Sequence, residues 1–200
     1  MKTKYLLFGV AILAFVMVVF LVLGDSDSQK RYVEQVEKDR KNREEIFKNS
    51  PESPIAKKDS FAGLKYFPVN PDFRLKAKFE KIKGNPRYAL QMTQSDAEQY
   101  VKFGYARFSY QNKNYQVLLL HKPGDKYLFF PFTDASNGKT TYEAGRYINN
   151  VPFPKTEEII LDFNYATNPY CVYNAEYTCP IPPKENRLAF AIEAGEKKYK

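Results

Sequence analysis

Residues 74–132 read RLKAKFEKIKGNPRYALQMTQSDAEQYVKFGYARFSYQNKNYQVLLLHKPGDKYLFFPF, and this stretch decides the fold. Its opening, RLKAKFEKI, alternates: Leu75, Ala77 and Phe79 share one side, while Lys76, Lys78 and Glu80 share the other. Alternation with period two marks a strand with one buried face. Segments 87–93, 100–110, 115–121 and 127–132 follow, rich in aromatic and β-branched residues. Gly84-Asn85-Pro86, Gln111 to Asn114 and Pro123-Gly124-Asp125 separate them as turns of hairpin length. Adding 141–149, 158–163 and 187–194 gives about eight strands. Regular spacing with no helix between strands predicts a mostly β chain, an antiparallel barrel or sandwich.

Two other segments precede this body. Residues 5–23, YLLFGVAILAFVMVVFLVL, carry no charge. A helix of that length spans about 29 Å, close to the hydrocarbon thickness of a bilayer. The pattern reads as a membrane anchor over 1–24, with a cleavable signal peptide ending at Gly24 as the alternative. Lys2 and Lys4 before the run, and Asp25 and Asp27 after it, place the N-terminus in the cytoplasm. The expectation is therefore a single-pass protein of the bacterial cell envelope, touching the lipid bilayer through 5–23, with its main domain extracytoplasmic. Residues 25–50 contain SQKRYVEQVEKDRKNREEIFK, a charged helix with a thin stripe of Tyr32, Val33, Val36, Ile46 and Phe47. It reads as a spacer, leaving 51–200 as the β-rich domain. The net charge is +8 at pH 7, but both signs are interleaved along the chain. That pattern is a solvated surface, and it argues against nucleic acid as a partner.

Residues 161–183, LDFNYATNPYCVYNAEYTCPIPP, lose all periodicity after the first few positions. A loop this long inside a compact domain is functional or disordered, and its tyrosines argue for order. Asn164, Asn168 and Asn174 suit tight turns. Cys171 and Cys179 stand eight apart, a separation a disulfide can close, so they are read as a loop staple. His121 is the chain's one histidine, too few with two cysteines for a zinc site, and no cofactor is implied. In 129–148, FFPFTDASNGKTTYEAGRYI, the alternation places Tyr142, Arg146 and Ile148 inward. A buried guanidinium needs a carboxylate, and Asp134 or Asp162 is the natural one.

These segments, together with SPIAKKDSFAGLKYFPVNPDFRLKAKF (53–79) and the tail KENRLAFAIEAGEK (184–197), resemble the bacterial domain of unknown function 1684 family. The resemblance runs from about residue 40 to the C-terminus. It implies one compact, largely β domain with no activity, substrate or cofactor attached, and concentrates its polar motif positions in 134–147 and 162–186.

Three functions follow as expectations. The first is binding of a small polar or anionic ligand by Asp134, Tyr142, Arg146, Asp162, Asn164 and Asn168, with Tyr142, Tyr165 and Tyr173 as walls. The second is an envelope hydrolase using Asp134 and Asp162 as a carboxylate pair, with Glu193 or Glu196 nearby and Arg146 clamping an anion. The third is a scaffold whose stalk and FAGLKYFP patch contact another protein.

Overall fold

The computed structural model describes residues 27–199. One helix, α1, covers residues 27–49. Seven strands follow: β1 (Arg74–Lys81), β2 (Arg87–Leu90), β3 (Glu98–Tyr110), β4 (Lys113–His121), β5 (Leu128–Phe132), β6 (Arg146–Val151) and β7 (Glu158–Asp162). They form one antiparallel sheet in the order β6-β5-β4-β3-β1-β7, with β2 paired to β3 off this path. The sheet curls so that Tyr147 of β6 bridges Thr167, just beyond β7, and a half-barrel results. The β3–β4 hairpin turns on Gln111 and Asn112, both with positive φ, the two-residue geometry that matches the twist of its strands.

The expected eighth strand, 187–194, is not one. Its alternation is real, for Leu188, Phe190, Ile192 and Ala194 are all buried. Yet its backbone groups bond to buried side chains and irregular segments in place of a ladder. The Ile192 amide donates to Asp134, and the Ile192 carbonyl accepts from Arg146. This segment plugs the open side of the half-barrel, where its apolar side chains join Phe130, Phe132, Ile148, Leu161 and Phe163 in the main core. Asn186 seals the weak β4–β5 junction. Its side chain bonds both backbone groups of Leu118 and the Pro131 carbonyl.

The α1 helix lies along the body. Val36 and Phe47 are buried, and Phe47 joins Ile55, Leu64 and Tyr173 in a separate core with Phe61 and Tyr66 at its margin. The FAGLKYFP patch is thus largely consumed by packing within the chain. Among the described residues no helix is long and apolar enough to cross a membrane. That finding corrects the expectation of a single-pass envelope protein; the 5–23 run on which it rested lies outside the described residues.

Candidate functional site

The polar residues singled out in the sequence fall into three networks. The first is built around Arg146, which follows Gly145 in a tight turn. Gly145 has φ of 101°, and a Cβ there would stand 2.4 Å from the Phe132 carbonyl, so only glycine sends the chain into β6 at this angle. Arg146 then points inward, as the alternation predicts. It donates to Asp134 at 3.1 Å and to the carbonyls of Ile192, Ala194 and Glu196. The other Asp134 oxygen accepts from the Ser136 amide and hydroxyl and from the Ile192 amide. Burial pulls the Arg146 pKa down against the attraction of Asp134. Both side chains of the pair have no exposed surface. In this arrangement Asp134 and Arg146, read from the sequence as ligand contacts, face inward and pin the 192–196 segment in place.

The second network joins α1 to the end of β7. Asp162 caps the turn at Asn164, and Tyr32 of the helix donates to Asp162 at 2.8 Å. Asn164, itself buried, donates to Tyr32 and to the Asn70 carbonyl and accepts from the Asn70 amide. Arg40 reaches over to the carbonyls of Phe67 and Asn164, and Tyr165 donates to Asp39. Burial raises the Asp162 pKa despite these bonds, and burial with the neighbouring Asp162 charge drives the Tyr32 hydroxyl upward. Asp162 and Asn164 thus serve the docking of the helix. Asp134 and Asp162 belong to different networks, and no carboxylate pair is assembled from them.

The third network was only grazed by the sequence reading. Gly195, φ 73°, lets the backbone pass close to the Ala166 carbonyl and turns Glu196 fully inside. Glu196 accepts from the Asn168 amide at 3.0 Å and from the Tyr173 hydroxyl, and it faces Arg43 of α1 at 3.7 Å. Burial raises the Glu196 pKa, with Arg43 and the hydrogen bonds opposing. Arg43 lies over the Phe47 ring and retains 22% of its side-chain surface. Asn168 donates to the Lys197 carbonyl, while its own Oδ1 has no partner.

Arg43 and Asn168 front a cavity of about 590 Å³. Rings from four segments wall it: Tyr100 of β3, Tyr127 and Phe129 around β5, Tyr147 of β6, and Tyr170 and Tyr177 of the long loop. Tyr147 leans edge-on to Phe129 and donates to the Pro180 carbonyl, which fixes the loop's return against the sheet. The loop runs beside 91–93 through the Met92–Pro180 bridge and the Ile181-to-Gln91 bond. Lys126 and Arg43 set two positive charges in the wall against one from Asp125. The volume and the aromatic lining suit a small molecule, with few polar groups to orient it.

Of the expected site residues, Asn168 alone lines this cavity. Tyr142, Tyr165 and Tyr173, read as its walls, do not line it. Cys179 lies in the wall, but the expected staple is corrected: both cysteines are free. His121 ends β4, where its ring packs edge-on against Phe103 and Phe153. Among the described residues no group of three His, Cys, Asp or Glu side chains is placed to hold a metal ion. The missed residue with a readable signal is Arg43. Tyr32, Val36, Arg40, Arg43 and Phe47 recur at helical spacing, and long arginine stems extend an apolar stripe.

The sequence model for a protein of unknown function, DUF1684, matches residues 59–197. The chain belongs to the DUF1684 family. Its fold resembles the solution NMR structure of an uncharacterized protein of Haloarcula marismortui, at 29% identity and a TM-score of 0.68. The likeness covers 86% of this chain and 96% of that one. No curated protein matches this DUF1684 chain. The α1 helix lies outside the DUF1684 match, so Arg43 reaches the cavity from beyond the matched segment.

Proposed function

We propose that this DUF1684 protein is a binding module for a small ring-bearing anion, taken into the aromatic cavity with its charged group at Arg43. One observation carries the reading: an arginine held 3.7 Å from a buried glutamate lines a ring-walled cavity with 22% of its side-chain surface exposed, while its Nε and Nη2 are buried without a hydrogen-bond partner. Fixing a cation by a buried partner orients it before a ligand arrives, which lowers the entropy lost on binding. The rings supply apolar area and edge contacts to a planar ligand.

The test is a thermal-shift and calorimetric comparison of three probes: benzoate, benzyl alcohol and inorganic phosphate. Benzoate is expected to bind more tightly than the alcohol, which lacks the charge, and than phosphate, which lacks the ring. Arg43→Gln should weaken benzoate about tenfold, the size of one charge-assisted hydrogen bond, and leave the alcohol unchanged. Equal binding of benzoate and benzyl alcohol would remove Arg43 from recognition, and failure of all three to bind would remove the cavity.

A further inference from the structure

Cys171 and Cys179 occupy the two flanks of the cavity's loop wall. Cys179 is buried in that wall, while Cys171 is half-buried next to Tyr170, which lines the same cavity. The Cys171 amide donates to the Cys179 sulfur at 3.2 Å, so the second sulfur already sits against the backbone of the first. Between the two cysteines, Tyr177 packs edge-on against Tyr170, and the turns at Tyr173, Asn174 and Tyr177 fold the segment back on itself. The returning end is anchored independently, because the Cys179 amide donates to Thr93 and the next carbonyl accepts from Tyr147. The outgoing end is held by packing and not by the sheet: Tyr170, though 42% exposed, lies edge-on to Phe47 of α1, and Val172 borders the core around Phe47.

We propose that this thiol pair is a redox-operated clasp on the cavity wall, closed by a disulfide oxidant such as oxidised glutathione. The inference rests on the binding reading for its consequence, though not for its chemistry. Cys171, the more accessible thiol, loses its proton to solvent and attacks one sulfur of the oxidant. That sulfur–sulfur bond breaks, one glutathione thiolate leaves, and a mixed disulfide forms on Cys171. Cys179 then gives up its proton and attacks the Cys171 sulfur, releasing the second glutathione. Two protein thiols are oxidised, and one glutathione disulfide is reduced to two thiols. Burial, followed by the neighbouring Cys171 thiol, pushes the Cys179 thiol up to about 12, which leaves the first attack to Cys171; the second falls to Cys179 because its sulfur already lies against the Cys171 backbone. Closure would tie the flank carrying Tyr170, which packs on α1, to the flank carrying Pro180, which is hydrogen-bonded to β6, and so fix both sides of the ligand's wall.

The experiment equilibrates the full chain in glutathione buffers of rising oxidation. Alkylation with mass spectrometry then counts thiols, and hydrogen exchange is followed over 168–181. The expected product is one intramolecular disulfide without a lasting glutathione adduct, about tenfold slower exchange in 172–178, and an altered benzoate affinity. Cys171→Ser and Cys171→Ala should each abolish the disulfide and the slowing while keeping the reduced protein's melting temperature. Persistent adducts, thiols that survive every buffer, or a disulfide that leaves exchange unchanged would each overturn the clasp. If the disulfide forms and slows exchange but benzoate binds neither form, the clasp stands and the binding reading fails.

Discussion

Arg146 and Glu196 are completely buried charges, and each follows a glycine whose positive φ and close backbone contacts exclude a side chain. Their roles differ. Arg146 spends both terminal nitrogens on Asp134 and three carbonyls, while its buried Nε has no partner. Its removal leaves a buried aspartate unpaired, and Arg146→Ala is expected to cost about 3–5 kcal/mol in urea unfolding. An effect within about 0.5 kcal/mol would show that the pin is dispensable. Glu196 is different because its carboxyl is held above the ordinary glutamate range by burial. A raised native pKa means that the folded chain holds the proton more tightly than the unfolded chain. The stability it contributes is present below the ordinary value and is lost as pH rises through the raised one. Relative to Glu196→Gln, the wild type should therefore lose unfolding free energy as pH rises above the ordinary glutamate value of about 4.3. A difference that stays flat across that range would contradict the shift. At this scale the sequence was informative about Arg146: alternation placed it inward and the cost of a bare charge demanded a carboxylate, Asp134 or Asp162, of which Asp134 is the one it meets. It named Glu196 only as a neighbour of a carboxylate pair and missed its burial, because an acidic residue carries no mark of burial until the Gly195 turn is known.

The α1 helix shows what an element contributes beyond its residues. Tyr32, Arg40, Arg43 and Phe47 all contact the body, through Asp162, the Phe67 and Asn164 carbonyls, Glu196 and Tyr173 respectively. Val36, in the middle of that face, is completely buried. Val36→Ala should lower stability by about 2 kcal/mol, the worth of a buried valine side chain, and weaken benzoate binding by displacing Arg43. Urea unfolding and calorimetry on the same variant test both halves. Unchanged stability would mean that the helix is not docked in solution. The strands were legible in outline: six start and end close to or within expected segments, while β6, at Arg146–Val151, is offset from the expected 141–149. The eighth was not, because alternation reports burial and cannot report which groups satisfy the backbone. Residues 187–194 obey the pattern of a strand while Asp134 and Arg146, distant in sequence, take the place of a neighbouring ladder.

At the scale of the whole molecule, a half-barrel plugged by its own tail and flanked by one helix leaves a cavity where sheet, loop and helix meet. That meeting point is assembled from residues between 43 and 180, which is why no local motif announced it. The same architecture buries many phenols. Burial, with anionic neighbours for some, raises the pKa values of Tyr32, Tyr147, Tyr165 and Tyr173 above the ordinary tyrosine value. Their contribution is complete below about pH 10 and is lost as pH climbs beyond it, so the fold should unfold cooperatively in alkali. Tyrosinate absorbance and circular dichroism are expected to change together; tyrosinate appearing on an intact fold would show those rings to be accessible. Ring and charge recognition are tested together by a crystal structure with 4-iodobenzoate, the ligand being located by the anomalous signal of its iodine. The iodinated ring is expected among Tyr100, Phe129, Tyr147 and Tyr170, with its carboxylate on Arg43. Iodine bound elsewhere, with the cavity holding only water, would contradict it.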